Sequence, residues 1–99
     1  MHYTTSKNSI DIQLDKDFNL VAAQQIDALV GSKNNVRLDL THARLVDSEA
    51  IAMLHRYMLE GRRVILKNPP KILYEVIRIL GLHTHWNLDE LIDPSSDRH

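Results

Sequence analysis

The chain has 99 residues, 43% of them hydrophobic and 25% charged, so it can fill one hydrophobic core but not two. The formal net charge of -1 gives no overall field to attract nucleic acid, and the lack of cysteine excludes disulfides, thiolate nucleophiles and cysteine-ligated zinc. No apolar run approaches the roughly 20 residues that cross a bilayer, and residues 1–7 contain no secretion signal, so we expect a cytoplasmic protein without membrane insertion.

Two strands and a helix are predicted in the N-terminal third. Apolar residues alternate with polar ones over residues 9–14, the pattern of a strand with one wet face, and residues 2–5 can pair with it as a shorter strand. Helical spacing follows over residues 19–30, with Asn19 as the N-cap and Gly31 as the stop.

The middle of the chain repeats the change from strand to helix. Alternating apolar residues predict a strand over residues 36–41. Asp47 is a good N-cap for a helix over residues 48–60, which Gly61 ends. The unbroken apolar run at residues 64–66 is typical of a strand buried on both faces of a parallel sheet.

The last third is predicted to contain one more helix, over residues 71–80, with Leu80 among its inward residues and Gly81 at its end. Trp86 and Leu88 can form a final short strand, with Trp86 interpreted as core packing in preference to an exposed anchor for a partner. We expect one α/β domain over residues 1–93, in which about three to four helices cover a mixed, mostly parallel sheet, and a flexible tail over residues 94–99.

The predicted topology indicates where a site should lie. In such a sheet the carboxyl ends of parallel strands and the amino ends of the following helices gather at one edge, so residues 41–48 and 67–70 should be neighbours. Ser48 would place its hydroxyl at the partly positive start of a helix, which can accept a phosphoryl group. From the local pattern alone, Asp47 and Ser48 are more simply a helix cap.

Four segments, in order and spacing, resemble the STAS family, which includes bacterial anti-sigma factor antagonists. They are VRLDLT at 36–41, LVDS at 45–48, GRRVILKN at 61–68 and VIRILGL at 76–82. The resemblance implies a STAS-like fold and a non-enzymatic protein-interaction module in bacterial regulation of transcription. It implies that Ser48 is phosphorylated by a partner kinase, and that the unmodified protein binds this anti-sigma factor kinase while the phosphorylated one releases it.

The same resemblance assigns further positions. Asp47 matches the acidic residue before the phosphorylated serine, Asn68 a position in the adjacent loop, and Asn19 a place near the docking edge. Family members continue with a small residue and then glycine, whereas this chain has Glu49 and Ala50, which makes the approach to Ser48 bulkier and more acidic.

Arg44 is also predicted to bind the partner, because of its position in the loop at the docking edge. An arginine there can pair with an acidic partner or fold back onto Asp47. The full set is Asn19, Arg44, Asp47, Ser48, Glu49 and Asn68. A second branch of the family, the STAS subunit of phospholipid-transporting ABC systems, offers an ABC ATPase as the alternative partner, and the sequence leaves a homodimer open.

Two chemical alternatives are weaker. His42, Asp47 and Ser48 are the residue types of a hydrolase triad, but the sequence has no Gly-x-Ser-x-Gly elbow and no spacing that guarantees contact between them. No catalytic residue or cofactor is predicted. His83 and His85 would share one face if their segment were a strand, and with His2 or His99 they can bind a metal, yet two histidines do not make a metal site. We therefore predict no metal.

Overall fold

The computed structural model describes residues 1–95 and contains one four-stranded sheet in the order β1-β2-β3-β4. Its strands are β1 (His2–Thr5), β2 (Ser9–Gln13), β3 (Asn35–Asp39) and β4 (Arg63–Lys67). The hairpin strands β1 and β2 are antiparallel, whereas β2 with β3 and β3 with β4 are parallel. The predicted mixed, mostly parallel sheet is confirmed.

The helices follow the strands along the chain. They are α1 (Leu20–Val30), α2 (Ser48–Leu59), α3 (Lys71–Ile79) and a short α4 (Leu88–Leu91), with a 3-10 turn at Leu82–Thr84 before α4. Asn19 and Asp47 cap α1 and α2 as predicted, because each side chain accepts a hydrogen bond from the backbone N–H three residues on.

The core lies on one side of the sheet. Every second strand residue is buried against the helices, namely Ile10, Ile12, Val36, Leu38, Val64 and Leu66. The residues between them point to the opposite face, where Asp11, Gln13 and Arg37 are exposed and Ile65 is half-buried. The prediction that the 64–66 strand is buried on both faces is therefore wrong, since the helices cover only one face.

The segment after α3 also differs from the prediction. Residues 86–88 form no strand: Trp86 lies between the 3-10 turn and α4, and the strand-like contact is instead a bridge between Ile92 and Leu66 of β4. The backbone N–H of Asp93 donates to the carbonyl of Leu66 at 2.8 Å. Within residues 1–95 the C-terminal segment thus bridges the outer edge of β4 at Leu66.

Trp86 and Leu80 were both predicted to be buried, and the structure confirms only the first. Trp86 is buried, stacks on the His55 ring and donates from Nε1 to His55 Nδ1 at 3.1 Å, which confirms its interpretation as core packing. Leu80, predicted to face inward, is exposed because α3 ends at Ile79 and Leu80 is already its C-cap. Most of the predicted tail, residues 96–99, lies outside the described residues.

Candidate functional site

The Asp47 carboxylate joins the amino ends of two helices. Its Oδ1 accepts from the N–H of Ala50 in the first turn of α2, and its Oδ2 accepts from the N–H of Leu20, the first residue of α1, both at 2.9 Å. Backbone N–H groups at a helix start have no partner within their own helix, so one side chain satisfies such groups on two elements. Asp47 therefore fixes the relative position of the two helix ends.

A second carboxylate holds the loop that leads to α2. Asp17 Oδ1 accepts from the backbone N–H groups of Arg44 and Leu45, and these hydrogen bonds keep the pKa of Asp17 below its ordinary value. A parallel bridge between Phe18 and Val46 adds two backbone bonds beside it. Residues 44–47 are thus held along the chain that enters α1.

Ser48 is exposed at the first position of α2, as the sequence predicted. Its hydroxyl takes part in no hydrogen bond among residues 1–95, and the cap of the helix is supplied by Asp47. The two residues of the Asp-Ser pair therefore differ in role: the carboxylate is used by the fold, while the hydroxyl faces solvent beside the partly positive starts of α1 and α2.

Asn68 is buried and links the two loops that were expected to be neighbours. Its Nδ2 donates to Thr41 Oγ1 at 3.0 Å, and the Thr41 hydroxyl and N–H donate to Asp39 Oδ1. Burial opposes the ionisation of Asp39, but the hydrogen bonds from Thr41 outweigh it and lower the pKa of Asp39. The backbone N–H of Leu40 also donates to the carbonyl of Lys67, so the predicted adjacency of residues 41–48 and 67–70 is confirmed.

The other predicted site residues lie on the same edge in different environments. Glu49 and Arg44 are exposed, and within the described chain Arg44 forms no ion pair with Asp47, whose two oxygens are already engaged. Asn19 is exposed, but its Oδ1 accepts from the N–H of Ala22. Of the predicted set, Ser48, Glu49 and Arg44 present side chains without a capping role.

The structure adds apolar residues that the sequence did not single out. Leu20 and Leu45 are among the exposed large hydrophobic residues, and Leu45 is 64% exposed. Both adjoin Asp47, Leu20 through its hydrogen bond and Leu45 through the loop. We call Leu20, Leu45, Asp47, Ser48 and Glu49 the helix rim. A helical wheel could have flagged Leu20, which lies off the buried stripe of α1, whereas only the structure shows that Leu45 is exposed.

A shallow groove of about 280 Å³ extends from the helix rim between α1 and α2. Leu20, Ala23, Ala52 and Met53 supply its apolar surface, and charged side chains border it. Asp27 on this border accepts from the Tyr57 hydroxyl at 2.7 Å and from the Arg56 guanidinium at 2.6 Å. These bonds lower the pKa of Asp27, and burial together with Asp27 raises that of Tyr57.

The histidines considered for a hydrolase triad or a metal site are not arranged for either role in the described residues. His42 is exposed and makes no hydrogen bond to Ser48 or Asp47 within residues 1–95. His83 is in the 3-10 turn and His85 follows it, so the strand that would have put them on one face is not formed. In the described part of the chain no group of three potential ligands is placed to hold a metal ion, and no helix is long and apolar enough to cross a membrane.

Comparisons with known proteins give a match for the structure but not for the sequence. No protein-family model matches the sequence, and no curated protein matches it significantly. The structure is similar to the crystal structure of a sulfate transporter family protein from Wolinella succinogenes, with a TM-score of 0.64 and 12% sequence identity over 91% of this chain and 80% of that chain.

At this identity the structural likeness concerns the fold. It supports a single α/β domain with a STAS-like fold, in agreement with the sequence prediction. Membership of the STAS family stays a prediction.

Proposed function

We propose that this chain is a non-enzymatic protein-interaction module that docks a partner protein at the helix rim in the cytoplasm, with Ser48 as a switch. One observation carries the proposal: the Ser48 hydroxyl is exposed at the start of α2 and is not needed to cap the helix, since Asp47 does so. A residue in this position can be modified without removing a contact that the fold requires.

The electrostatics of the helix rim suit a charge switch. A phosphoryl group brings about -1.5 to -2 charges, and the starts of α1 and α2 both favour an anion. Asp47 and Glu49 flank Ser48 and oppose the second ionisation of the phosphate. Modification would leave the fold intact and change the charge of the surface that the partner meets.

The apolar residues of the helix rim supply the contact area. Leu20 and Leu45 are exposed beside Ser48, and the groove between α1 and α2 continues the apolar surface. Burying such side chains contributes roughly 1.5–3 kcal/mol each. A phosphate at the border of this patch would add a charge that the partner must desolvate, which favours release.

For the partner, we propose an anti-sigma factor that is also a serine kinase, as the resemblance to anti-sigma factor antagonists implies. The unmodified chain would bind this kinase, and the kinase would phosphorylate Ser48 and dissociate. Binding would thereby regulate transcription.

A second candidate is a subunit that binds the ATPase of a phospholipid-transporting ABC system. Glu49 favours it, because an exposed carboxylate beside Ser48 makes the site less suitable for a phosphoryl transfer. The similar structure from Wolinella succinogenes is described as a sulfate transporter family protein, which also favours a partner in transport. In this case binding at the helix rim would be constitutive.

A hydrolase is disfavoured by the hydrogen bonds of the candidate triad. Both Asp47 oxygens accept from backbone N–H groups, so this carboxylate is not orienting His42. A serine nucleophile needs a base that is itself held in place. Among residues 1–95 no base hydrogen-bonds to Ser48.

Capture of partners from a native lysate tests the proposal. Wild type, Ser48→Ala and Ser48→Asp serve as baits, followed by identification of the captured proteins and the intact mass of each bait. We expect wild type and Ser48→Ala to retain a partner that Ser48→Asp loses, and a fraction of the wild-type bait, but none of Ser48→Ala, to carry a phosphate. A captured kinase-type ATPase supports the first candidate, and a captured ABC ATPase supports the second.

Two matched variants make the result specific. Ser32→Asp introduces the same charge at an exposed serine beyond the carboxyl end of α1 and should bind like wild type. Leu45→Asp should lose the partner regardless of Ser48, because it disrupts the apolar part of the helix rim. Equal recovery by Ser48→Asp and wild type, with no phosphate mass on the wild type, would end the switching proposal, and full binding by Leu45→Asp would end the docking site.

A further inference from the structure

The two edge strands of the sheet, β1 and β4, differ in whether their outer sides are paired. Along β4, the bridge to Ile92 and the hydrogen bond from Asp93 occupy the outer side of Leu66. Along β1 no strand of residues 1–95 pairs with the outer side, since β2 is its sheet neighbour. All four residues of β1 are exposed. The N-terminal strand is therefore an open edge, which can pair with another chain.

The hairpin fixes which backbone groups face outward. The N–H of Ser6 donates to the carbonyl of Ser9 at 2.9 Å, so these residues form a hydrogen-bonded pair at the turn. Such pairs alternate along an antiparallel ladder. With the register Thr5↔Ile10 and Thr4↔Asp11, Thr4 bonds inward, and Thr5 and Tyr3 direct their N–H and C=O groups away from β2.

We propose that β1 pairs antiparallel with β1 of a second copy of this chain, joining two sheets across a two-fold axis. The outward groups set the register: Tyr3 lies opposite Thr5 of the second copy, Thr5 opposite its Tyr3, and Thr4 opposite its Thr4 on the axis. The two Tyr3–Thr5 pairs exchange both of their hydrogen bonds. All eight outward N–H and C=O groups of the two strands are then satisfied.

The composition of the strand favours a second copy as the occupant. Residues 2–5 contain no Lys, Arg, Asp, Glu or Pro, the residues that usually block edge pairing, so within this stretch no like charges lie opposite each other. In this register Lys7 of one copy lies opposite Met1 of the other, and the Met1 ammonium group is already neutralised by its ion pair with Asp15. The pairing is isologous, so one set of contacts is used twice.

The dimer goes beyond the proposed function and leaves the docking site accessible. Ser48 begins the helix that follows β3, whereas the paired edge is β1, and β2 lies between β1 and β3. Each dimer would therefore present two helix rims. Two linked sites raise the apparent affinity for a partner that is itself dimeric.

Sedimentation of the full chain over a concentration series tests the dimer. We expect wild type to reach twice the chain mass of 11.4 kDa and Thr5→Pro to stay at the single mass. Proline removes the outward N–H of Thr5 without removing a bond to β2 and is tolerated on edge strands. The control Thr5→Ala keeps the N–H and should dimerise, and circular dichroism checks that Thr5→Pro is folded. A wild type that remains monomeric at every concentration overturns the proposal.

Single cysteines test the register without changing the strand backbone. The chain has no cysteine, so a disulfide can form only between two introduced residues. Residues opposite each other in a non-hydrogen-bonded pair have Cα atoms about 4.5 Å apart, within disulfide range. Thr4→Cys should form a covalent dimer on mild oxidation, whereas Tyr3→Cys should not, because Tyr3 lies opposite Thr5. Equal cross-linking by both variants, or none by Thr4→Cys, contradicts this register.

Discussion

Asp47 offers a graded test of how the helix rim is built. Its two oxygens accept one hydrogen bond from each of two helix starts, at Leu20 and Ala50. Loss of an N-cap bond costs about 1 kcal/mol. Asp47→Ala should therefore lower the free energy of unfolding by about 2 kcal/mol, and Asp47→Asn, which keeps one acceptor oxygen, by about 1 kcal/mol.

Thermal unfolding followed by circular dichroism measures this series. For a domain of this size each kcal/mol lowers Tm by about 4–8 °C, so the expected losses are about 8–16 °C for alanine and 4–8 °C for asparagine. Ser48→Ala is the control and should stay within about 0.5 kcal/mol of wild type, as exposed residues usually do. If asparagine costs as much as alanine, or if alanine is nearly neutral, Asp47 does not join the helices in this way.

Three further changes test other contacts, the first two by denaturant unfolding and the third by hydrogen exchange. Tyr57→Phe removes the hydroxyl that donates to Asp27 and should lower the free energy of unfolding by about 1.5–3 kcal/mol. The lowered pKa of Asp27 stabilises the folded state above pH 3.8, and this stabilisation is lost as the pH falls through the pKa of Asp27 in the folded state. The variant should therefore lose less stability in acid than wild type, and an unchanged acid profile would argue against the contact. Asn68 has a φ of 52°, so Asn68→Ala should be less stable than Asn68→Gly by about 1 kcal/mol, and the reverse order would contradict the role of its backbone conformation. Arg37→Met removes the ion pair with Asp93 and should speed hydrogen exchange at the Asp93 N–H, while unchanged exchange would show that the pair does not hold this segment.

The elements that the sequence predicted depend on local signals. The N-caps Asn19 and Asp47 act on residues three positions on, and Gly31, Gly61 and Gly81 lie at positive φ where helices end. The alternation of apolar and polar residues in the strands indicated which face of the sheet packs against the helices. These features need only a few neighbouring residues, and the structure places them within one or two positions of the prediction.

The errors arose where distant contacts decide the outcome. Trp86 packs on His55, 31 positions away, so its segment turns into the core and does not extend as a strand. The open face of the sheet, which leaves Ile65 half-buried, depends on where every helix lies.

Within the candidate site the sequence predicted the position of Ser48, but it did not predict the long-range hydrogen bonds that its neighbours make. The second bond of Asp47, to Leu20, spans 27 positions and has no local signature. Asn68 was predicted in the adjacent loop, and the structure shows it buried and bonded to Thr41.

The bridge between Ile92 and Leu66 has a consequence for how large an assembly can grow. Chains can add to a growing sheet without limit only when each chain has two unpaired sheet edges, as in a fibril. Here the C-terminal segment obstructs one side at Leu66, and a β1 pair uses the β1 edge of both copies, so self-association through β1 stops at two copies. A chain cut before Ile92 would gain a second receptive side, and we expect it to polymerise where the intact chain does not.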